Sequence, residues 1–340
     1  MREQARTSPR DAWRCRLGWW LGGGILLAAI ALTVGPFLVP VRRPEGLLDP
    51  EDLADADSRF VDVEGVRLHV KEAGDPNAPC TLVFLHGFAS SLYAWRHAMR
   101  DLAPRARVIA FDRPGFGLSS RPLAGDWEGD SPYSMESSAR QTVALMDALG
   151  VQRAVLVGHS QGAAIALMAA DAYPERVSAL VLASSPTASK RFRPRPYLSR
   201  LRRLPQVQHL APLVPRPFFG SHARWFMAMA YHDPSRLSAE TVELELKATR
   251  VKNWDLAFVE LTAAQTGFHS PEAMARVRVP TLLVAGRDDR TVPFADQVAV
   301  ARAMPGSHLV AFSHTGHVVQ EERPEAFAEV VGDFLDRIGC

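Results

Sequence analysis

Residues 154–173 read AVLVGHSQGAAIALMAADAY, and more of the architecture follows from this stretch than from any other. Its first half, Ala154–Ser160, is a short, almost continuous apolar run ending in Gly158-His159-Ser160. Its second half, from Gln161, is rich in alanine and has the length of a helix. A buried strand that passes within one residue into a helix needs a very tight turn. Gly158 and Gly162, two residues either side of Ser160, let neighbouring backbone approach without Cβ collisions. Such a turn thrusts a serine hydroxyl into a cleft. It also places the Gln161 N–H and the helix N-terminus where a developing anion would sit.

The pattern repeats on both sides. Thr81–Gly87, Arg107–Asp112, Val177–Ser185, Thr281–Gly286 and His308–Ser313 are short apolar runs. Helix-period segments lie between them, near Tyr93–Leu102 and Met135–Leu149, and Pro324–Ile338 closes the chain. Apolar strands alternating with helices predict an α/β fold with a mostly parallel sheet covered on both faces. Arg59 onward alternates apolar and polar residues around Glu64-Gly65, a hairpin signal for one edge. The alternation breaks from Pro186 to about Ala275. That gap of about 90 residues is too long for an ordinary loop and contains amphipathic stretches such as Ala239–Arg250. It reads as a helical cap at about 186–275, inserted over the strands' carboxyl ends, where open α/β sheets bind ligands.

From about Arg59 to Ile338 the chain resembles the α/β-hydrolase superfamily. Gly158-His159-Ser160-Gln161-Gly162 matches its G-x-S-x-G elbow, and His86-Gly87-Phe88 resembles its oxyanion loop. Asp112 to Ser119 resembles D-x-P-G-x-G-x-S, and Gly286 to Pro293 resembles the acid loop G-x-x-D-x-x-V-P. Gly316-His317, followed by Glu321 and Arg323-Pro324, resembles the segment around the catalytic histidine. The resemblance implies Ser160 as nucleophile, His317 as base, and the Phe88 and Gln161 amides as oxyanion donors. His86 and His159 become scaffold or pocket wall. The acid is Asp288 or Asp289. Spacing favours Asp289, three after Gly286 and four before Pro293, with Asp288 a structural neighbour bonding loop N–H groups. His314 reads as a polar loop residue, since a metal pair His314-x-x-His317 has no companion carboxylate or thiol cluster in the sequence. No metal and no cofactor are expected.

The N-terminus carries a different signal. Residues 17–41, LGWWLGGGILLAAIALTVGPFLVPV, form an uncharged run of 25. As a helix they would reach roughly 37 Å, enough to cross a bilayer core of ~30 Å. Trp19 and Trp20 sit at one end, and Arg2, Arg6, Arg10, Arg14 and Arg16 precede the run. The bias predicts a cytoplasmic segment 1–16, a signal anchor 17–41, a linker 42–58, and a domain 59–340 on the outer side. A cleaved signal peptide at Ala29-Ile30-Ala31 is the rival reading. A net charge of +2 excludes a general nucleic-acid binder. Cys15, Cys80 and Cys340 are too few and scattered for a disulfide framework or a zinc site, and read as unpaired thiols. A Cys80–Cys340 bridge would require an oxidising compartment.

For substrate, Ser160 argues against dehalogenases and epoxide hydrolases, which the resemblance gives an aspartate nucleophile. Carbon–carbon bond hydrolases keep serine, but Phe88-Ala89-Ser90-Ser91 stands where they carry a glycine-rich loop. The expectation is a small-molecule or lipid ester. A perhydrolase or acyltransferase on the same residues, or a ligand-binding pseudoenzyme, is the alternative. Lys190 to Arg203 holds seven basic residues and no acid, which reads as a solvated cap surface or a contact for anionic headgroups.

Overall fold

The computed structural model describes residues 19–20, 23–24, 26–186, 204–265 and 270–340. Its centre is an eight-stranded sheet: β1 (Arg59–Val63), β2 (Val66–Ala73), β3 (Thr81–Leu85), β4 (Arg107–Phe111), β5 (Ala154–His159), β6 (Val177–Ala183), β7 (Thr281–Gly286) and β8 (His308–Phe312). The order is β1-β2-β4-β3-β5-β6-β7-β8. β1 and β2 pair antiparallel across Glu64-Gly65, both at positive φ, and β2 pairs antiparallel with β4. Every other neighbouring pair is parallel.

Alternate residues of the central strands feed two cores. Leu82, Phe84, Val155 and Val157 face helices Arg96–Leu102 and Pro324–Arg337. Val83, Leu85, Ala154 and Leu156 face helices Met135–Ala148 and Gln161–Ala172. Burial on both faces explains why these strands read as apolar runs rather than alternating ones.

Between β6 and β7, the described residues form helices and turns, including Pro205–Leu210, Ala223–Ala228, Ala239–Leu246 and Trp254–Ala263. Ser238 caps the third of these, its Oγ accepting from Thr241 N. The basic stretch from Lys190 to Arg203 lies outside the described residues.

Two expectations change here. The first is the membrane span. Among the described residues no helix is long and apolar enough to cross a membrane. Helical geometry reaches Thr33, breaks in a turn at Val34, and resumes only for Gly35–Leu38. Pro36 has no N–H to continue an i→i−4 ladder, and its ring clashes with the preceding turn. Counting apolar residues in 17–41 gave Pro36 no weight. The remaining residues of that run lie outside those described. After the break, His209 Nε2 lies 3.0 Å from Val39 O and Gln206 donates to Thr33 O, so the segment rests on the cap helix Pro205–Leu210.

The second is the pair of thiols. Cys80 and Cys340 are bonded as a disulfide, with Cα atoms 5.2 Å apart. Helix Pro324–Arg337 packs over the same sheet face as Arg96–Leu102, which brings the last residue beside the start of β3. A pairing across 260 residues leaves no trace in cysteine spacing.

Candidate active site

Ser160 stands between β5 and helix Gln161–Ala172 with φ 51° and ψ −118°, a conformation that costs energy in a residue with a Cβ. The surroundings hold it there. Ser160 N donates to Ala183 O of β6 at 2.8 Å. A Cβ on Gly162 would lie 2.1 Å from Leu85 O, and one on Gly158 would lie 2.4 Å from Gly162 O. Both positions therefore demand glycine for packing rather than for a special φ. Gln161 is the first helical residue, so its N–H has no intrahelical acceptor.

His317 lies beyond β8, and its Nδ1 is 2.7 Å from Asp289 Oδ2. Asp289 is buried, and its Oδ1 accepts from Thr291 N and Val292 N, each at 2.8 Å. Those two amides fix which carboxylate oxygen faces the imidazole. Asp289 keeps the proton on Nδ1 and leaves Nε2 as the basic nitrogen. Asp288 turns elsewhere: its Oδ2 is 3.4 Å from His232 Nδ1, and the loop N–H groups expected of it go to Asp289 instead.

The loop bearing His317 is braced by residues that spacing alone did not mark. His317 O accepts from Ser184 Oγ at 2.8 Å and faces His159 Nε2 at 2.9 Å. Burial holds His159 down to about 3, so it stays neutral and donates from Nε2. His317 N donates to Ala230 O, which ties the loop to the cap. Glu322 is fully buried; it accepts from Gly316 N at 2.6 Å and from His232 N at 3.0 Å. This corrects the reading of Glu321 as the segment's glutamate. Counted from His317, G-H-x-x-x-x-E-x-P falls on Glu322-Arg323-Pro324, and Glu321 lines the cavity instead.

On the opposite wall, His86 is also buried and held down to about 3, its Nε2 accepting from Arg113 N. Arg113 donates to Gly87 O at 3.0 Å and to Gln161 Oε1 at 2.9 Å, joining the two loops that bear Phe88 and Gln161. The Phe88 ring meets Phe116 and Phe258 edge-on.

Ser160, His317, Phe88 and Gln161 all line one cavity of about 570 Å³. Cap residues Phe226, Met229, Tyr231 and Leu237 form its other side. Sequence neighbours offered His314 no companions as a metal ligand. Among the described residues, one group, His232, Asp288 and His314, has ligand atoms within 4.8 Å of one another, and His317 is not part of it. The set includes no thiol, and one of its three members is already engaged with another.

The profile described as alpha/beta hydrolase fold matches residues 81–324, a span that holds Ser160, Asp289 and His317. The chain belongs to the alpha/beta hydrolase fold family. It is 31% identical over 288 residues to 2-hydroxymuconate semialdehyde hydrolase of Pseudomonas sp. (strain CF600), covering 82% of this chain and 93% of that one. Among solved structures it is similar to Est816, described as an N-acyl homoserine lactone degrading enzyme. That likeness has TM-score 0.64 and 25% identity, over 81% of this chain and all of that one. A membrane phospholipase A described as a bacterial virulence factor shares the fold at TM-score 0.66 and 22% identity, over 97% of this chain and 99% of that one. The chain is a hydrolase of this family.

Proposed function

We propose that this hydrolase cleaves carboxylic esters through an acyl-enzyme on Ser160. The observation that carries the reading is the cavity itself. A serine on a strained elbow and a histidine oriented by a buried carboxylate face one apolar chamber under the cap. Serine is a weak nucleophile at neutral pH and needs such a base. In the proposed reaction, His317 Nε2 takes the Ser160 proton as Oγ attacks the ester carbonyl. The Phe88 and Gln161 amides bind the resulting oxyanion. Collapse expels the alcohol, which takes the proton back from His317. Water then attacks the acyl-enzyme with the same histidine as base, and the acid leaves. Asp289 stabilises the imidazolium in both halves.

A second reading, carbon–carbon bond hydrolysis on the same residues, is favoured by similarity to 2-hydroxymuconate semialdehyde hydrolase. The described wall offers an acidic substrate of that kind no cationic partner. Among the described residues the cavity wall has no lysine or arginine, and it carries the carboxylates Glu245 and Glu321. A mostly apolar chamber suits an acyl chain, so lipid esters belong to the proposed range. The experiment is hydrolysis of p-nitrophenyl esters of graded chain length, with Ser160→Ala as control and added alcohol to reveal acyl transfer. Turnover by the wild type and loss in the variant support the reading. Ester hydrolysis by Ser160→Ala at the wild-type rate overturns it.

We also propose that the N-terminal segment seats the protein on a membrane, with the hydrolase domain on the oxidising side. Trp19, Trp20, Leu27, Leu32 and Leu38 are all more than 60% exposed, a run of apolar surface that water does not favour. The Cys80–Cys340 bridge fits an oxidising compartment. Recovery of the full chain in the soluble fraction of cells would contradict this.

A further inference from the structure

The cavity holds two carboxylates that the hydrolytic steps do not use, Glu245 and Glu321. Glu321 Oε2 accepts from Tyr231 OH at 3.0 Å and pairs with Arg96 Nη1 at 3.4 Å. The other Arg96 nitrogen, Nη2, donates to Thr241 Oγ1 at 2.7 Å. Glu245 Oε1 accepts from Ser90 Oγ at 3.2 Å and has no cationic partner among the described residues. The group thus sets two acids against one guanidinium. Burial raises Glu245 to about 8, with the charges of Glu321 and Asp112 adding to it. Burial also raises Glu321, against the pull of Arg96 and Tyr231.

An acid deep in a protein with hydroxyl neighbours and no cation is costly to ionise, and it keeps its proton. What remains accessible of Glu245 opens into the substrate cavity and the small pocket beside it. A positive group arriving there supplies a charge that none of the described residues brings to Glu245. It would meet charge-assisted acceptors in a site shielded from bulk water. We propose that Glu245 and Glu321 form a subsite for a positively charged, amine-bearing end of the ester substrate. This rests on the ester reading above and deepens it. Glu321 is free of the loop's own bracing, since Glu322 is the acid that holds Gly316, and its contacts run to Tyr231 and Arg96 across the cavity wall. When the ammonium binds, Glu245 gives its proton to solvent and the two carboxylates face two cations.

The test uses the full chain and esters of matched length ending in methyl, hydroxyl, ammonium or carboxylate. The end group is placed on the acyl side in one arm and on the alcohol side in the other, which tells the two sources of the amine apart. The readout is kcat/KM relative to the methyl-ended ester within each protein, so that a uniform loss of activity cancels. Expected is a preference for ammonium of about ten- to a hundredfold in one arm, carried mainly by KM, with the carboxylate ester poorest. In Glu245→Gln and Glu321→Gln that preference shrinks toward one. No ammonium preference in either arm, or a preference undiminished in both variants, overturns the proposal. Calorimetric titration of the wild type with an alkylammonium and with the alkanol of equal length needs neither turnover nor a variant. Tighter binding of the ammonium supports the subsite even if no ester is cleaved, in which case it is the ester reading that fails. Equal binding overturns the subsite.

Discussion

Replacing Asp289 by asparagine should stop the proposed reaction without moving an atom of the fold, for a reason readable in the hydrogen bonds. Oδ1 accepts from Thr291 N and Val292 N, both at 2.8 Å, while Oδ2 faces His317 Nδ1 at 2.7 Å. An asparagine can satisfy the two amides only by placing its carbonyl oxygen on them. The reverse orientation sets a donor against two donors, and each buried group left unpaired costs about 1–3 kcal/mol. The introduced amide nitrogen must then face His317 Nδ1 and donate to it. That forces the imidazole proton onto Nε2, the nitrogen meant to accept from Ser160. A wrong tautomer of this kind costs ~10⁴ in kcat, equivalent to about 5.4 kcal/mol of barrier. KM should stay within a few-fold, because Asp289 does not line the cavity. The assay is steady-state hydrolysis of a p-nitrophenyl ester by Asp289→Asn, with Ser160→Ala as background and Asp288→Asn in parallel. Asp288 meets His232 instead of His317, so its variant should keep most of the activity. A loss under tenfold for Asp289→Asn, or an equal loss for Asp288→Asn, would mean that this carboxylate does not set the tautomer.

Three further outcomes follow from other contacts. Gly162→Ala puts a Cβ 2.1 Å from Leu85 O and 2.7 Å from His86 O, so the helix must shift against β3. Activity should fall at least tenfold with secondary structure by circular dichroism unchanged; near-full activity would contradict the packing. Cys340→Ser opens a loop closed across 260 residues, for which chain entropy gives a ceiling of about 5–6 kcal/mol and removals of this kind typically cost about 2–5 kcal/mol. Urea unfolding should move to a lower midpoint, and wild type with reductant should match the variant. Glu245→Gln should stabilise the protein at alkaline pH. The folded pKa of about 8 lies above the ordinary 4.5, so the folded state holds a proton that the unfolded chain releases. The stability this lends is full below pH 4.5 and is lost as pH rises through 8. The ceiling is about 5 kcal/mol at about 1.36 kcal/mol per pKa unit, and water in the cavity reduces it to an expected ~1–3 kcal/mol. Melting temperatures of the two proteins at pH 5 and pH 8 give the comparison; a gap that fails to widen with pH would count against the buried acid.

The fold was legible because each β-strand buried on both faces writes an apolar run into the sequence. The antiparallel edge was legible because Glu64-Gly65 supplies the two positive-φ residues of a tight hairpin. The elbow and the Asp289–His317 contact were visible through local spacing, since each loop carries its own pattern. Contacts between distant segments were not. Ser184 closes an apolar strand and carries no signal of its own, yet its hydroxyl holds His317 O. The same holds for His159 and Ala230, whose partners are 158 and 87 residues away in sequence. Glu321 and Glu322 are adjacent acids; a correct count from His317 marks Glu322, and the structure shows that it braces the loop while Glu321 lines the cavity. Hydropathy reads the 25-residue apolar run as one span and does not register the proline at position 36, beside which the described helix turns.

The proposed ester hydrolysis depends on Ser160 carrying the acyl group during cleavage. Intact-protein mass spectrometry after reaction with a fluorophosphonate examines that dependence without a substrate of known identity. One adduct per chain is expected, mapped to the peptide containing Ser160, appearing as ester hydrolysis is lost, and absent from Ser160→Ala. An unlabelled wild-type chain that still hydrolyses esters, or an adduct on another residue that tracks the loss of activity, would rule Ser160 out as the nucleophile.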